Sequence, residues 1–524
     1  MSAALPLLAA GDSGRVIAWR DGEPVCATQF LADAAGQAAL LPARGPVLNL
    51  CADRYRFAVG LAAALMRGHT SLLPPNALPD TLARLRGTEP SLYRLTDDPA
   101  LAVPGLDLQP AAPHASSRSG TAVPLNRAEQ SASGSFPAPP LIQAEQPAVC
   151  LLTSGSTGVP QPHRKTWGTL VLNIEAAAAR LARLLERPTL AGLNLVATVP
   201  AQHSYGLESS VLLALLGGAA FDAGRPFYPA DIARALERLP RPRALVTTPF
   251  HLKTLLAAGL RLPPTDLVLC ATAPLSPQLA LAAERAFGGP LIEIYGCTEA
   301  GQVATRRTVQ SDVWQTFGAL RVAREDAQAA SVLRATETGV ETGKHGAAAE
   351  GPELEAADQS GERFVVVGGH VHEPTALADV LQLVPPSDGR HFRLLGRAGD
   401  VIHVAGKRSS LAHLNYHLNS IEGVLDGAFW LPPDETDAVV RPLAFVVAPG
   451  LEATRITAEL RTRLDPVFVP RRVVKIEALP REATGKLGVQ ALERLARAHI
   501  SGKGERDSQA APRAAADVRR VLSS

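Results

Sequence analysis

Short apolar runs alternate with longer amphipathic stretches along residues 14–105, where "PVLNLCA" gives way to "RFAVGLAAALMRG". A brief apolar run bounded by turn residues reads as a buried strand, and the longer stretches carry helix-face spacing. Their alternation predicts βα units and a largely parallel sheet. Residues 106–147 break the pattern. Their core, "PAAPHASSRSGTAVPLNRAEQSASGSFPAPP", is rich in Pro, Ser, Ala and Gly and has no apolar period, so a flexible surface insertion is expected.

The alternation resumes over 148–300. Strands are expected at "AVCLLT", "LNLVATV", "ALVTT", "DLVLCA" and "LIEIYG", with helices between them at "TLVLNIEAAAARLARLLE" and "PQLALAAERAF". "SSVLLALLGGAAF" reads as a buried helix leading into a strand, too short and Gly-broken to span a bilayer. Residues 323–362 form a second polar insertion, followed by strands at "RFVVVGGHV" and "HFRLLGR". After Arg397 a smaller α+β unit follows, with helices at "LAHLNYHLNSI" and "ATRITAELRTRLD", strands at "LAFVVA" and "RVVKIEALP", and the loop "REATGK". The expected plan is an α/β protein. A large N-terminal domain of mixed, largely parallel sheets flanked by helices covers 1–396, a small C-terminal α+β domain covers 397–498, and 499–524 is a disordered tail.

Composition narrows the function. Lys plus Arg number 52 against 50 Asp plus Glu, so the net charge of +2 gives no footprint for nucleic acid. Aromatics at 4% leave no stacking platform for single strands. The five cysteines are scattered without metal-ligand spacing and read as reduced thiols. The N-terminus lacks a basic region before its apolar run, and no segment reads as an integral membrane span, so a cytoplasmic protein is expected.

Chemistry concentrates first in "LLTSGSTGVPQPHRKTW" at 151–167, which follows an expected strand. Gly155 and Gly158 allow unusual backbone geometry, and Thr153, Ser154, Ser156 and Thr157 can surround phosphate oxygens. Pro160 and Gln161 exclude a Walker A loop, and no dinucleotide fingerprint is present. Alone, the stretch is equally a Gly/Ser turn without a ligand.

Four separated segments change that reading. "TSGSTGVP" at 153–160, "YGCTEAG" at 295–301, "GRAGDVIHVAGKR" at 396–408 and "LPREATGK" at 479–486 stand in the order of motifs in the adenylate-forming superfamily of acyl- and aryl-CoA synthetases, adenylation domains and luciferases. The chain resembles that family over about residues 30–495. The resemblance implies ATP and Mg²⁺ as cofactors, with a mobile C-terminal lid.

It also implies roles. Joining a carboxylate to an α-phosphate brings anions together, which calls for positive charge and a divalent ion. Glu299 matches the Mg²⁺ ligand, a carboxylate suited to a hard cation, and Thr298 matches a hydrogen-bond donor to the α-phosphate. Tyr295 and Gly296 match the adenine side. Glu293 either accepts from the adenine amine or forms a surface salt bridge. Asp379 and Arg397 match ribose- or phosphate-contacting positions. Lys486 matches the catalytic lysine that swings in against the developing charge, a task suited to a compact charge on a flexible stem. "PAQHSYGLE" places His203, Tyr205 and Gly206 near the acid, and "ATAPLS" adds Ala273, with Thr272 in place of a common Gly. Gly399 and Asp400 fall in the hinge.

Two departures stand out. Gln161 occupies a position where relatives carry Lys, with Arg164 and Lys165 just downstream as candidate substitutes, and Gly399 replaces the usual hinge Asp. The implied activity is ligation of a carboxylic acid to a thiol through an adenylate. The thiol is coenzyme A or the phosphopantetheine of an acyl carrier protein. A further resemblance of "CADRYRFAVGLAAALMRG" and "DPVFVPRRVVKIEALPREATGKL" to ligases of aryl polyene pigment pathways favours an aromatic acid and a carrier protein. A catalytically weak adenylate-binding homologue that docks carrier proteins, and a luciferase-like oxidase, are the alternatives.

Overall fold

The computed structural model describes residues 3–9, 14–89, 91–98, 107–108, 138–154, 160–325, 363–386, 388–397, 401–404, 407–432, 442–481 and 487–500. The chain divides into two compact units, 1–398 and 399–524.

Two large sheets organise the first unit. One has six strands in the order Pro160–Thr166, Pro147–Ser154, Ser71–Leu73, Val47–Asn49, Tyr93–Leu95 and Asp107–Leu108. All are parallel except Pro160–Thr166, which folds back on Pro147–Ser154. The other has eleven strands. Its middle is parallel, running from Leu291–Cys297 through Leu267–Cys270, Arg243–Thr247, Asn194–Ala197 and Ala220–Asp222 to Val16–Arg20. Antiparallel strands extend it beyond Leu291–Cys297: Gly301–Arg306, Trp314–Thr316, His391–Arg397 and Asp379–Leu383. A three-stranded antiparallel sheet of Arg321–Arg324, Phe364–Gly368 and Val371–Leu377 completes the unit's larger elements.

The two large sheets share one core. Val47, Leu73 and Val149 of the first and Leu195, Val246 and Leu269 of the second are buried together with Phe57, Ala58 and Leu61 of the helix Arg54–Met66. That helix is apolar nearly all round, as a helix enclosed by protein must be. Asp53 caps it, accepting from the Arg56 amide at 2.8 Å. The helix Trp167–Leu184 adds Leu170, Ile174 and Leu181 to the same core. Emptying one such position, for example by Leu61→Ala, costs about 2–5 kcal/mol.

The second unit is a three-stranded sheet, Asp426–Trp430, Leu443–Val447 and Arg472–Lys475, with a hairpin Val401–Val404/Lys407–Ser410. Alternating residues send Phe429 to a core with Leu414, Leu418 and Ile456, and Ala428 and Trp430 to another with Phe445 and Ala496. The helices Leu411–Asn419, Ala453–Arg461 and Val489–Ile500 supply those cores.

Some expectations need correction. The insertion expected at 106–147 contains ordered pieces: Asp107–Leu108 pairs with Arg94–Leu95, Leu141–Gln143 pairs with Ala4–Pro6, and a core strand begins at Pro147. These strands are too short for their own periodicity to reveal them. Ala323 and Arg324, placed in the second insertion, close a strand instead. Residues 109–137 and 326–362 lie outside the described residues, as do 501–524 of the expected tail. His499 and Ile500, expected to open that tail, end a helix.

Candidate active site

The hairpin Pro147–Ser154/Pro160–Thr166 builds the first side of the site. Gln161 pairs with Thr153 in register, so both strand ends flank residues 155–159. The pleat places Gln161, His163 and Lys165 on one strand face and Arg164 on the other. Gln161 and Arg164 are exposed, His163 is half-buried, and Lys165 is only 8% exposed. His163 Nε2 lies 3.0 Å from Thr153 Oγ1 and 3.7 Å from Glu299 Oε1. Lys165 Nζ donates to the backbone oxygen of Glu299. Lys165, a candidate replacement for the missing loop charge, is therefore a buried strut between two chain segments. Burial lowers its pKa, opposed by Glu208, Cys297 and Glu299.

The second side is the turn after the last parallel strand. Leu291–Cys297 runs through Thr298, Glu299 and Ala300 into the antiparallel strand Gly301–Arg306, with a register shift at Tyr295/Gly296. The carboxyl ends of parallel strands are where α/β sheets present ligand-binding loops. Thr298 is half-buried and the Glu299 side chain is exposed. His370 approaches the turn from the adjoining sheet, with Nε2 2.8 Å from the Ala300 carbonyl oxygen. Burial lowers its pKa to about 4, so at neutral pH the ring is uncharged and donates through Nε2–H. Gly301 has φ +80, and a Cβ there would lie 2.6 Å from Asn173 Nδ2, so glycine is required behind the turn.

The strand leading into this turn carries the next group. The Tyr295 hydroxyl donates to Asp379 Oδ2 at 2.7 Å, and Asp379 pairs with Arg397 in register. Three residues expected on one ligand are thus neighbours on three strands. The Tyr295 ring, expected against adenine, packs on Trp314 and Phe392 with centroids 5.7 and 5.6 Å away. Glu293, two residues earlier, is buried. Its Oε1 accepts from Arg306 Nε at 2.7 Å and from the Thr308 hydroxyl. It forms an ion pair inside the fold rather than the surface bridge the sequence left open. Burial raises its pKa, opposed by Arg306 and Thr308. The Arg306 guanidinium also lies 4.4 Å from the Trp314 ring centroid.

His203, Tyr205 and Gly206 open a helical segment. Ser204–Gly206 runs directly into a π-helix at Leu207–Leu212, a form common at functional positions. A Cβ on Gly206 would lie 1.9 Å from the Pro200 oxygen, which excludes any larger residue without backbone movement. Burial raises the Tyr205 hydroxyl's pKa well above its ordinary value. Ala273 is half-buried in the loop after Leu267–Cys270, and its neighbour Thr272 has φ +84. For a β-branched residue that angle is an outlier of the strained kind found at ligand-facing loops.

Sequence reasoning missed several residues here. Glu208 is 1% exposed and accepts from Ser204 Oγ at 2.8 Å. Burial raises its pKa, while Ser204 and Lys165 favour its charged form. The signal was a lone acid in an apolar run, "YGLESSVLLALL". His163 and His370 lacked any local pattern.

Gly155, Ser156, Thr157, Gly158, Gly399, Asp400 and Lys486 lie outside the described residues, and for Ser154 and Arg397 only the backbone is described. The base of the Lys486 loop is defined. Arg481 and Leu487 form an antiparallel bridge, and Arg481 binds Asp426 through two hydrogen bonds of 2.7 Å. Among the described residues no cluster of three or more His, Cys, Asp or Glu can hold a metal, and no helix is long and apolar enough to cross a membrane. The exposed Glu299 carboxylate beside the Thr298 hydroxyl offers hard oxygen donors. These fit Mg²⁺, which keeps several waters and takes further ligands from substrate phosphates.

Comparison with known proteins agrees with this geometry. Residues 88–346 match the AMP-binding enzyme family. A 4-coumarate–CoA ligase of Rhodobacter capsulatus is 28% identical over 334 residues, covering 64% of this chain and 73% of that protein. The crystal structure of ATP-bound MatB from Rhodopseudomonas palustris superposes with a TM-score of 0.69 at 17% identity, covering 93% of this chain and 96% of that one. The o-succinylbenzoate coenzyme A synthetase of Bacillus subtilis, in complex with ATP and magnesium ion, gives 0.66 at 16% identity, covering 90% and 95%. The structural matches show a shared fold of a large sheet-containing domain and a smaller C-terminal one. Within that fold, residues 88–346 are a domain of the AMP-binding enzyme family.

Proposed function

We propose that the protein is an ATP-dependent acid–thiol ligase. A carboxylic acid attacks the α-phosphate of ATP, forming an acyl- or aryl-adenylate and releasing pyrophosphate. A thiol then takes the acyl group and AMP leaves. The observation that carries this reading is the junction of the Thr153 hairpin with the Glu299 turn through His163 and Lys165. The strand entering that turn bears the Tyr295–Asp379 hydrogen bond.

In this reading the backbone and hydroxyls of Thr153 to Gly158 receive the phosphates. Thr298 donates to the α-phosphate, and Glu299 holds Mg²⁺, which neutralises phosphate charge when bound. Asp379 and Arg397 orient the ribose, with Tyr295, Gly296 and Glu293 shaping the wall on the adenine side. His203, Tyr205, Gly206 and Ala273 line the approach of the acid. Lys486 neutralises the charge that develops between carboxylate and α-phosphate, a contribution of about 10²–10³ in rate for one well-placed donor. Rotation at Gly399–Asp400 exchanges the two half-reactions.

The acid in this proposal is aromatic. The names of the relatives at Rhodobacter capsulatus and Bacillus subtilis, which specify 4-coumarate and o-succinylbenzoate, support that class. The acceptor is coenzyme A or a carrier-protein phosphopantetheine. Incubation with ATP, Mg²⁺, mixed aromatic and fatty acids, and either coenzyme A or a phosphopantetheinylated carrier protein tests all three parts. Mass spectrometry identifies the thioester. An aromatic thioester on one acceptor is the expected result. No thioester from any acid would leave an adenylate-binding, carrier-docking role.

A further inference from the structure

The turn bearing Glu299 is held from beneath by two buried side chains that reach it from other parts of the fold. Lys165 donates to the Glu299 carbonyl and His370 to the Ala300 carbonyl, so two consecutive peptide oxygens are gripped. Both residues are buried. A buried ammonium is costly unless paired, and the buried carboxyl of Glu208 is the acid that most favours its charge. A family loop that needed only a packed strand at position 165 could use an apolar residue. A buried cation that donates to a backbone carbonyl of the turn requires another purpose.

We infer that Lys165 and His370 are positioning residues that act through the Glu299–Ala300 backbone to fix the Glu299 carboxylate against the phosphate hairpin, and so set the affinity for a divalent cation–nucleotide complex. This rests on the reading of Glu299 as the residue that meets the metal. The Glu299 side chain reaches His163 Nε2 at 3.7 Å, and the two gripped carbonyls tie the backbone of the turn to buried side chains. Lys165 lies on the strand that also carries His163, so one element spaces Glu299 relative to both ends of the phosphate hairpin. Outer-shell partners of this kind typically carry ten- to a hundred-fold in metal affinity.

The test is binding of Mn²⁺ with a non-hydrolysable ATP analogue, read by electron paramagnetic resonance of the free ion. It is run on wild type, Glu299→Gln, His370→Phe, Lys165→Met, and the double variant Lys165→Met/Glu208→Gln, which removes both buried ionisable groups together. Thermal melts confirm that each variant is folded. Expected is a roughly ten- to a hundred-fold weaker Mn²⁺–nucleotide affinity in the folded Lys165 and His370 variants. The KM for the acid should stay within about twofold, a split that general loosening of the fold does not give. Wild-type affinity in the folded double variant overturns the inference. Unchanged affinity in Glu299→Gln instead overturns the assignment of Glu299, and the inference with it.

Discussion

Tyr295 and Asp379 stand 84 positions apart in the chain, yet the phenol donates to the carboxylate at 2.7 Å. The bond joins the strand that leads into the Glu299 turn to the sheet's far antiparallel edge. It fixes the orientation of the Asp379 carboxylate at that edge. Tyr295→Phe keeps the ring against Trp314 and Phe392 and removes this bond. We expect a loss of about 1 kcal/mol in stability. The KM for ATP should rise several-fold while the KM for the acid holds, as initial-rate kinetics with each substrate varied in turn will show.

Glu293 and Arg306 make a buried pair with a measurable pH signature. Arg306→Leu leaves the Glu293 carboxylate uncompensated and is expected to cost about 3–5 kcal/mol at neutral pH. Burial holds the Glu293 pKa up, and Arg306 is the main force opposing it. Without Arg306 the folded state therefore binds the Glu293 proton at higher pH than the unfolded chain does. Stability then falls as pH rises and recovers as pH drops into the range where folded Glu293 is protonated. Urea midpoints at neutral and mildly acidic pH should show the variant's deficit shrinking on acidification.

Thr272 occupies a backbone conformation that favours glycine, with φ +84. Thr272→Gly should raise stability by roughly 1 kcal/mol, the strain relieved less the extra chain entropy lost on folding. A thermal melt checks the sign. A lower melting temperature would mean that the threonine side chain contributes more through its contacts than its backbone costs.

Asp426 pins the base of the loop that carries Lys486, through its paired hydrogen bonds to Arg481. Asp426→Ala should let that loop wander and lower kcat for adenylation by roughly tenfold or more, because small misplacements of a reacting group are costly. Equilibrium binding of ATP should not change. Weakened ATP binding would give the pair a role beyond placing Lys486.

Much of this architecture could be read before folding. The helix "PQLALAAERAF" and the strand "HFRLLGR" occur with the bounds expected from their patterns. The hydrophobic period is local information, and these elements are long enough to express it. The short pairings at Asp107–Leu108 and Leu141–Gln143 are not, and partners elsewhere in the chain decide them. The site divides the same way. Thr298 and Glu299 were legible as parts of one contiguous motif. Glu208 showed only as a lone acid in an apolar run, and His163 and His370 were not legible, because their contacts with Glu299 and Ala300 join distant parts of the chain. Lys165 was noticed for its charge, but only the fold shows that the charge is buried under a turn.

The central claim is that this protein activates a carboxylic acid as an adenylate. ATP–pyrophosphate exchange across a panel of aromatic and fatty acids measures that step directly, in wild type and in Lys486→Ala. The account predicts acid-dependent exchange, strongest with an aromatic acid, that falls by about 10²-fold or more when Lys486 is removed. Exchange with no acid at all, or exchange indifferent to Lys486, would contradict it.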